Sequence, residues 1–194
     1  MGADMPRGVL LYVIGASGSG KDSLMQVARE ALAGDPDVVF AHRYITRPSH
    51  AGGENHVALS ETEFEARLAR NLFAMHWRSH ALRYGLGCEI NHWLAKGLTV
   101  VVNGSREYLD VASKKYPELK PVLIEVSTEV LRERLQSRGR ESAADIETRL
   151  IRAEAFKQLR HPQLLRLPNN APLSETGPAF VALIRAQSQV ATCA

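Results

Sequence analysis

The sequence predicts an α/β protein: a central parallel β-sheet flanked by helices. Three observations carry that prediction. Val9-Leu-Leu-Tyr-Val-Ile14 and Leu98-Thr-Val-Val-Val102 are apolar without alternation, so both faces of each strand must be buried, as in the inner strands of a parallel sheet. A Gly/Ser loop at 15–20 leads from the first run into an amphipathic helix, whose Leu24, Val27, Ala28, Ala31 and Leu32 fall on one face. Strand-like runs then alternate with helical ones along the chain, the pattern of parallel crossovers. The length of 194 residues, 45% hydrophobic and 23% charged, suits one domain spanning 1–194 that needs no disulfide or structural metal.

The elements follow in order. Gly34-Asp-Pro36 ends the first helix, and 38–45 reads as one second strand. The polar stretch 46–56, with Pro48, Gly52 and Gly53, predicts a loop. Ser60-Glu-Thr-Glu63 is a capping box opening a helix to about residue 71. Residues 72–86 mix aromatic and polar side chains and predict a small β excursion. A helix at 89–96 ends at Gly97, the strand at 98–102 follows, and 106–116 forms a helix stopped by Pro117. After a strand at 122–126, Ser127 caps a helix containing Leu131 and Leu135. Gly139 interrupts it, and Ile146, Leu150 and Ala153 mark the next helix. A last strand at 163–167 and a C-terminal helix starting at Pro178 complete the series.

Composition excludes several classes of function. Lys plus Arg number 24 against 21 Asp plus Glu, a formal net charge of only +3, which argues against a general nucleic-acid-coating protein. The longest apolar run is too short to cross a membrane, and the N-terminus has no signal-peptide core. Cys88 and Cys193 read as two unpaired thiols of a reducing compartment. These features predict a soluble, cytoplasmic protein with neither nucleic acid nor membrane as partner; monomer and homodimer stay open.

The strongest chemical signal is Gly15-Ala16-Ser17-Gly18-Ser19-Gly20-Lys21, a G-x-x-x-x-G-K phosphate loop between a strand and a helix. Its glycines let backbone N–H groups converge on phosphate oxygens, and Lys21 neutralises the β- and γ-phosphates of ATP. The residue after the lysine is usually Ser or Thr, whose hydroxyl ligates Mg²⁺. Here it is Asp22, with Ser23 one residue later and about 100° around the helix. The strand that usually ends in a metal-binding Asp ends instead at Asn103. The carboxylate thus moves to the loop: Asp22 serves Mg²⁺ and Asn103 makes a neutral hydrogen bond. The alternative is that Asp22 only caps the helix N-terminus.

Two basic groups follow. Arg43, Arg47, Arg78 and Arg83 lie mid-chain; Arg132, Arg134, Arg138, Arg140, Arg149 and Arg152 crowd the helix–Gly139–helix segment, which has no Lys from 132 to 152. Arginines in a phosphate-loop protein suit a closing lid that stabilises a migrating phosphoryl group. His42 and His56 are candidates for contact with a phosphate or a ribose hydroxyl, and no Cys or tight His pair makes them a zinc site.

The order of phosphate loop, Thr46-Arg47-Pro48 with Gly53-Glu54, Tyr84-Gly85 and Arg134-Leu135-x-x-Arg138-Gly139-Arg140 resembles the guanylate-kinase-like nucleoside monophosphate kinases over about 9–170. The resemblance implies an acceptor region at about 42–88 and a lid at about 138–144. It implies that Arg47 and Tyr84 hold the acceptor phosphate, that Arg134, Arg138, Arg140 and Arg149 serve ATP, and that Asn169 lies near adenine. One departure bears on substrate: guanylate kinases read guanine with a carboxylate shortly before the Tyr-Gly pair, and no Asp or Glu occurs from 67 to 86. The finer pattern of Gly20-Lys-Asp-Ser23, Ala41-His-Arg-Tyr-Ile-Thr-Arg-Pro48, Gly53-Glu-Asn-His56 and Val101-Val-Asn-Gly-Ser-Arg106 is similar to the ribose 1,5-bisphosphate phosphokinases of phosphonate degradation. That resemblance implies ATP with Mg²⁺, a small sugar carrying two phosphates as acceptor, and 5-phosphoribosyl 1-diphosphate as product. Arg43, Arg78, Glu54, Asn103 and Arg106 join His42, Arg47, His56 and Tyr84 as its expected substrate-binding residues. The competing readings are a nucleotide kinase, a sugar-hydroxyl kinase with Glu54 as base, and a non-catalytic interaction module.

Overall fold

The computed structural model describes residues 8–51, 54–139 and 142–192, excluding the side chains of Arg138, 155–157 and 189–192. Five strands form the core sheet: β1 (Leu10–Gly15), β2 (Val38–Phe40), β7 (Thr99–Asn103), β8 (Lys120–Glu125) and β9 (Leu165–Pro168). They lie in the order β2-β7-β1-β8-β9, and every pair is parallel. The unbroken apolar runs follow from this position. Leu11 and Val13 pack with α1 (Lys21–Ala31) and α7 (Leu173–Thr192), beside Leu24, Phe180 and Ile184. Leu10, Tyr12 and Ile14 face the other way, against Ile90 of α3 (Glu89–Ala95) and Leu109 and Ala112 of α4 (Leu109–Lys115). Each such fully buried aliphatic side chain contributes about 1.5–3 kcal/mol.

A second sheet of four strands has the order β4-β3-β6-β5: β4 (His56–Ala58), β3 (Arg43–Ile45), β6 (Leu82–Gly87) and β5 (Phe73–Ser79). The predicted single strand at 38–45 is therefore two strands in two sheets. The chain leaves the core sheet after Phe40, and Ala41 still donates to the Val101 carbonyl at 3.0 Å. The predicted loop at 46–56 contains one 3₁₀ turn (Ser49–Ala51) and ends in β4, which pairs in parallel with β3. The β excursion at 72–86 is a hairpin whose two turn residues, His80 and Ala81, have φ of 49° and 61°. Helix α2 (Glu61–Ala69) covers one face of this sheet, its N-terminus capped by Ser60 accepting from the Glu63 N–H at 3.1 Å.

Helices α5 (Thr128–Arg138) and α6 (Ala143–Lys157) pack through Leu131, Leu135, Ile146 and Leu150, with Ala16 of the phosphate loop against the same cluster. Ser127 caps α5 by accepting from the Val130 N–H at 3.3 Å. The C-terminal helix starts earlier than predicted. The Glu175 and Thr176 N–H groups already bond to the Pro172 carbonyl, so α7 winds from Leu173 and Pro178 lies inside it. Ser174, whose carbonyl loses its partner to Pro178, is exposed to water. Among the described residues no helix is long and apolar enough to cross a membrane.

Candidate active site

The phosphate loop is shaped by backbone that residues with a side chain rarely adopt. Gly18 and Gly20 have φ of 92° and 83°, and a Cβ on Gly20 would sit 2.6 Å from Asn169 Nδ2. Helix α1 starts at Lys21 with no side-chain cap, so its first N–H groups stay available to an anion. The loop is braced from outside. Asn169 Nδ2 donates to the Ser19 carbonyl at 2.6 Å, Arg134 Nη1 to the same carbonyl at 3.4 Å, and Arg149 Nη1 to Ser17 Oγ at 2.7 Å. The structure thus brings Arg134 and Arg149 to the loop. Arg138 keeps its place at the end of α5, but its side chain, and Arg140 altogether, lie outside the described residues, as does Gly53. Gly139 closes α5 in the left-handed conformation.

Asn169 is 3% exposed, and its amide serves the loop rather than an open pocket. Its neighbour Asn170 is one residue that sequence reasoning missed. Asn170 Oδ1 accepts from the Ser127 N–H at 2.8 Å, and the residue lines a cavity of about 350 Å³ with Ala16, Ser127, Ala153 and Pro168. The repeated asparagine at 169–170 was the available signal.

On the other side of the loop, five side chains form one hydrogen-bonded chain. Lys21 Nζ donates to Asn103 Oδ1 at 2.5 Å and to Asp22 Oδ1 at 2.9 Å. Asn103 Nδ2 donates to Asp22 Oδ1 at 3.1 Å and to Glu54 Oε2. Glu54 in turn receives Arg43 in a bidentate pair, with Nε on Oε1 at 2.8 Å and Nη2 on Oε2. Burial pushes the Asp22 carboxyl up, but the Lys21 ammonium beside it, then Arg43 and the Asn103 amide, outweigh that and hold it below the usual carboxylate range. Asp22, Ser23, Arg29, Arg43, Glu54 and Asn103 line a cleft of about 410 Å³. Arg29 was not foreseen, because a cation in a helix's last turn carries no further signal.

Arg43 lies over the Tyr84 ring at 4.9 Å, Tyr84 stacks on Trp77 at 5.6 Å and 3°, and Trp77 stacks on Tyr108 at 5.4 Å. Arg47 Nη2 and His56 Nδ1 lie 3.4 Å apart, and the His56 ring sits between the Glu54 and Arg47 carbonyl oxygens at 3.1 and 3.2 Å. His42 is half-buried; burial, then Arg29, pull it below the usual imidazole range. Arg106 is half-buried in the loop after β7. The structure does not bring Arg78 to this group. Arg78 pairs in register with Arg83, which forms ion pairs with Glu61 and Glu65 of α2. Strand alternation places Trp77 and Tyr84 on the opposite face, so exposed Arg78 lies on the α2 side.

Fold and site together define a P-loop kinase of guanylate-kinase-like architecture. A solved guanylate kinase from Anaplasma phagocytophilum superposes with a TM-score of 0.66 over 94% of this chain and 87% of its own, at 17% identity. Sequence relatives are far nearer. Proteins named ribose 1,5-bisphosphate phosphokinase PhnN are 60% identical in Thiobacillus denitrificans (93% of this chain, 94% of the relative) and 58% identical in Desulfomicrobium baculatum (90% and 93%). A third, from Psychromonas ingrahamii, is 50% identical over 94% of this chain and 92% of its own. No family model matches the chain. The chain belongs to the ribose 1,5-bisphosphate phosphokinase family.

Proposed function

We propose that this protein transfers the γ-phosphoryl group of ATP to ribose 1,5-bisphosphate, forming 5-phosphoribosyl 1-diphosphate and ADP, as a cytoplasmic step of phosphonate breakdown. Its relatives' name supports the substrate. One observation in the site supports the chemistry: Asp22 and Glu54, the carboxylates lining the cleft, are each paired with a cation. Neither is poised as a general base, and a phosphate acceptor, already ionised, needs none.

Lys21 and the first N–H groups of α1 hold the β- and γ-phosphates, and Arg134 and Arg149 approach from α5 and α6 to stabilise transferring charge, joined by Arg138 and Arg140. Gly15, Ala16, Ser17, Gly18, Ser19 and Gly20 wrap the phosphates. Arg43, Arg47, His56 and Tyr84 bind the acceptor's phosphates, with His42 and Arg106 at its edge. The Asp22 carboxylate and Ser23 hydroxyl, both exposed at the cleft, are hard oxygen donors that suit Mg²⁺. When bound, Mg²⁺ neutralises phosphate charge, and Asp22 is the residue that would hold it.

An ADP-release assay with ribose 1,5-bisphosphate, ribose 5-phosphate and the nucleoside monophosphates tests this reading. Turnover is expected with the bisphosphate. Turnover with GMP and none with the bisphosphate would overturn it.

A further inference from the structure

We propose that Asn103 is the positioning residue that joins the donor and acceptor halves of this site. It holds Lys21 on one side and, through Glu54, Arg43 on the other. The proposal rests on the kinase reading above and adds a path between the two substrates.

Asn103 is 5% exposed and lies in the wall of the cleft. Both ends of its amide are engaged within the protein. The oxygen accepts from Lys21, and the nitrogen donates to Asp22 and to Glu54. The residue itself is rigidly placed. It ends β7, stands in register with Val13 of the central strand, and the following Gly104 N–H donates to the Val13 carbonyl at 2.8 Å. A side chain on such a strand can set the position of flexible neighbours. Lys21 belongs to the phosphate loop, whereas Arg43 belongs to the separate β4-β3-β6-β5 sheet.

Charge explains why the residue is an amide. Lys21 and Arg43 balance Asp22 and Glu54, two cations against two carboxylates. An aspartate at 103 would add a third carboxylate against the two it now serves as donor, and an ionised carboxylate can only accept. The amide alone can accept from the lysine and donate to both acids. A phosphate that draws Arg43 away from Glu54 therefore changes what Asn103 and Lys21 experience, and by linkage the reverse also holds.

The test is a double-mutant cycle. Kinetic constants for ATP and for ribose 1,5-bisphosphate are measured for wild type, Asn103→Ala, Glu54→Ala and the double variant, each checked for cooperative unfolding. Asn103→Ala should raise the KM for the bisphosphate about tenfold as well as lowering kcat, because it releases Glu54 and with it Arg43. In the Glu54→Ala background the same change should raise that KM by less than about twofold, because the link is already cut. Where Asn103→Ala does not fold, Asn103→Asp, of the same size, replaces it in the cycle. An acceptor KM unchanged in the Asn103 variant, or effects of the two changes that simply multiply, would overturn the proposal. The wild-type acceptor preference tests the kinase reading separately, and if another acceptor is used the cycle is run with that one.

Discussion

The donor and acceptor halves of this site are built by different means. The donor half is made of backbone: a glycine loop in left-handed conformations, a bare helix N-terminus, and side chains that bond to the loop's carbonyl oxygen. It rests on strands β1 and β8, buried along almost their whole length. The acceptor half is made of side chains. Its strands β3 and β4 have three residues each, and its groups meet as charged or ring contacts such as Arg43 with Glu54 and Tyr84, and Arg47 with His56. Backbone recognition reads what every nucleoside triphosphate shares, its phosphates. Side-chain recognition can be changed residue by residue, which suits the half that selects the acceptor.

Substitutions should separate the halves. The largest effect belongs to Lys21→Ala, expected to lower kcat by about three orders of magnitude or more, since it removes the phosphoryl-stabilising cation. Steady-state assays of the purified variant check this, and near-normal turnover would refute the role. Asn169→Ala should weaken ATP binding by about 1 kcal/mol by leaving the Ser19 carbonyl only the longer bond from Arg134. Calorimetric titration with ATP should show it, while the acceptor KM stays put; a larger effect on the acceptor would break the division into halves. Arg78→Ala sharpens the comparison from the other side. Placed among the acceptor's ligands, as in the sequence reading, it would raise the bisphosphate KM selectively. The observed face leads to changes under about twofold in both KM values, the range of a surface substitution. The smallest effect is on stability alone. Ala81 turns the hairpin at φ 61°, so Ala81→Gly should stabilise the fold by about 0.4–1 kcal/mol in thermal unfolding with activity unchanged.

The same division governs what could be read from the sequence. The phosphate loop, the parallel core and the Ser60 and Ser127 caps are local: each depends on residue types a few positions apart, and each was legible. The split of 38–45 into two strands was not. Val38 to Ile45 has one strand-like composition throughout, and only the competition of two sheets for its edges breaks it at Ala41 and His42. Arg78 and Arg83 illustrate a second limit. Arg78 reads as an acceptor ligand, and Arg83 as part of the same basic group, until Glu61 and Glu65, some twenty positions away, are seen against Arg83. The motif placed Asn103 and Glu54 in the site individually, but their shared hydrogen bond spans 49 positions and had no local signature.

The tie between Asn169 and Ser19 joins positions 150 apart in the chain, and Asn169 follows β9, an edge strand of the core sheet. The nucleotide loop is written near the start of the message and finished near its end. During synthesis the first strand, the loop and its helix emerge early, yet the loop's Ser19 carbonyl gains the shorter of its two donors only once β9 has docked beside β8. A nascent or truncated chain ending before residue 165 would carry the whole glycine motif without the Asn169 brace on it. The last strand thereby completes the brace on a loop that begins the chain's fold.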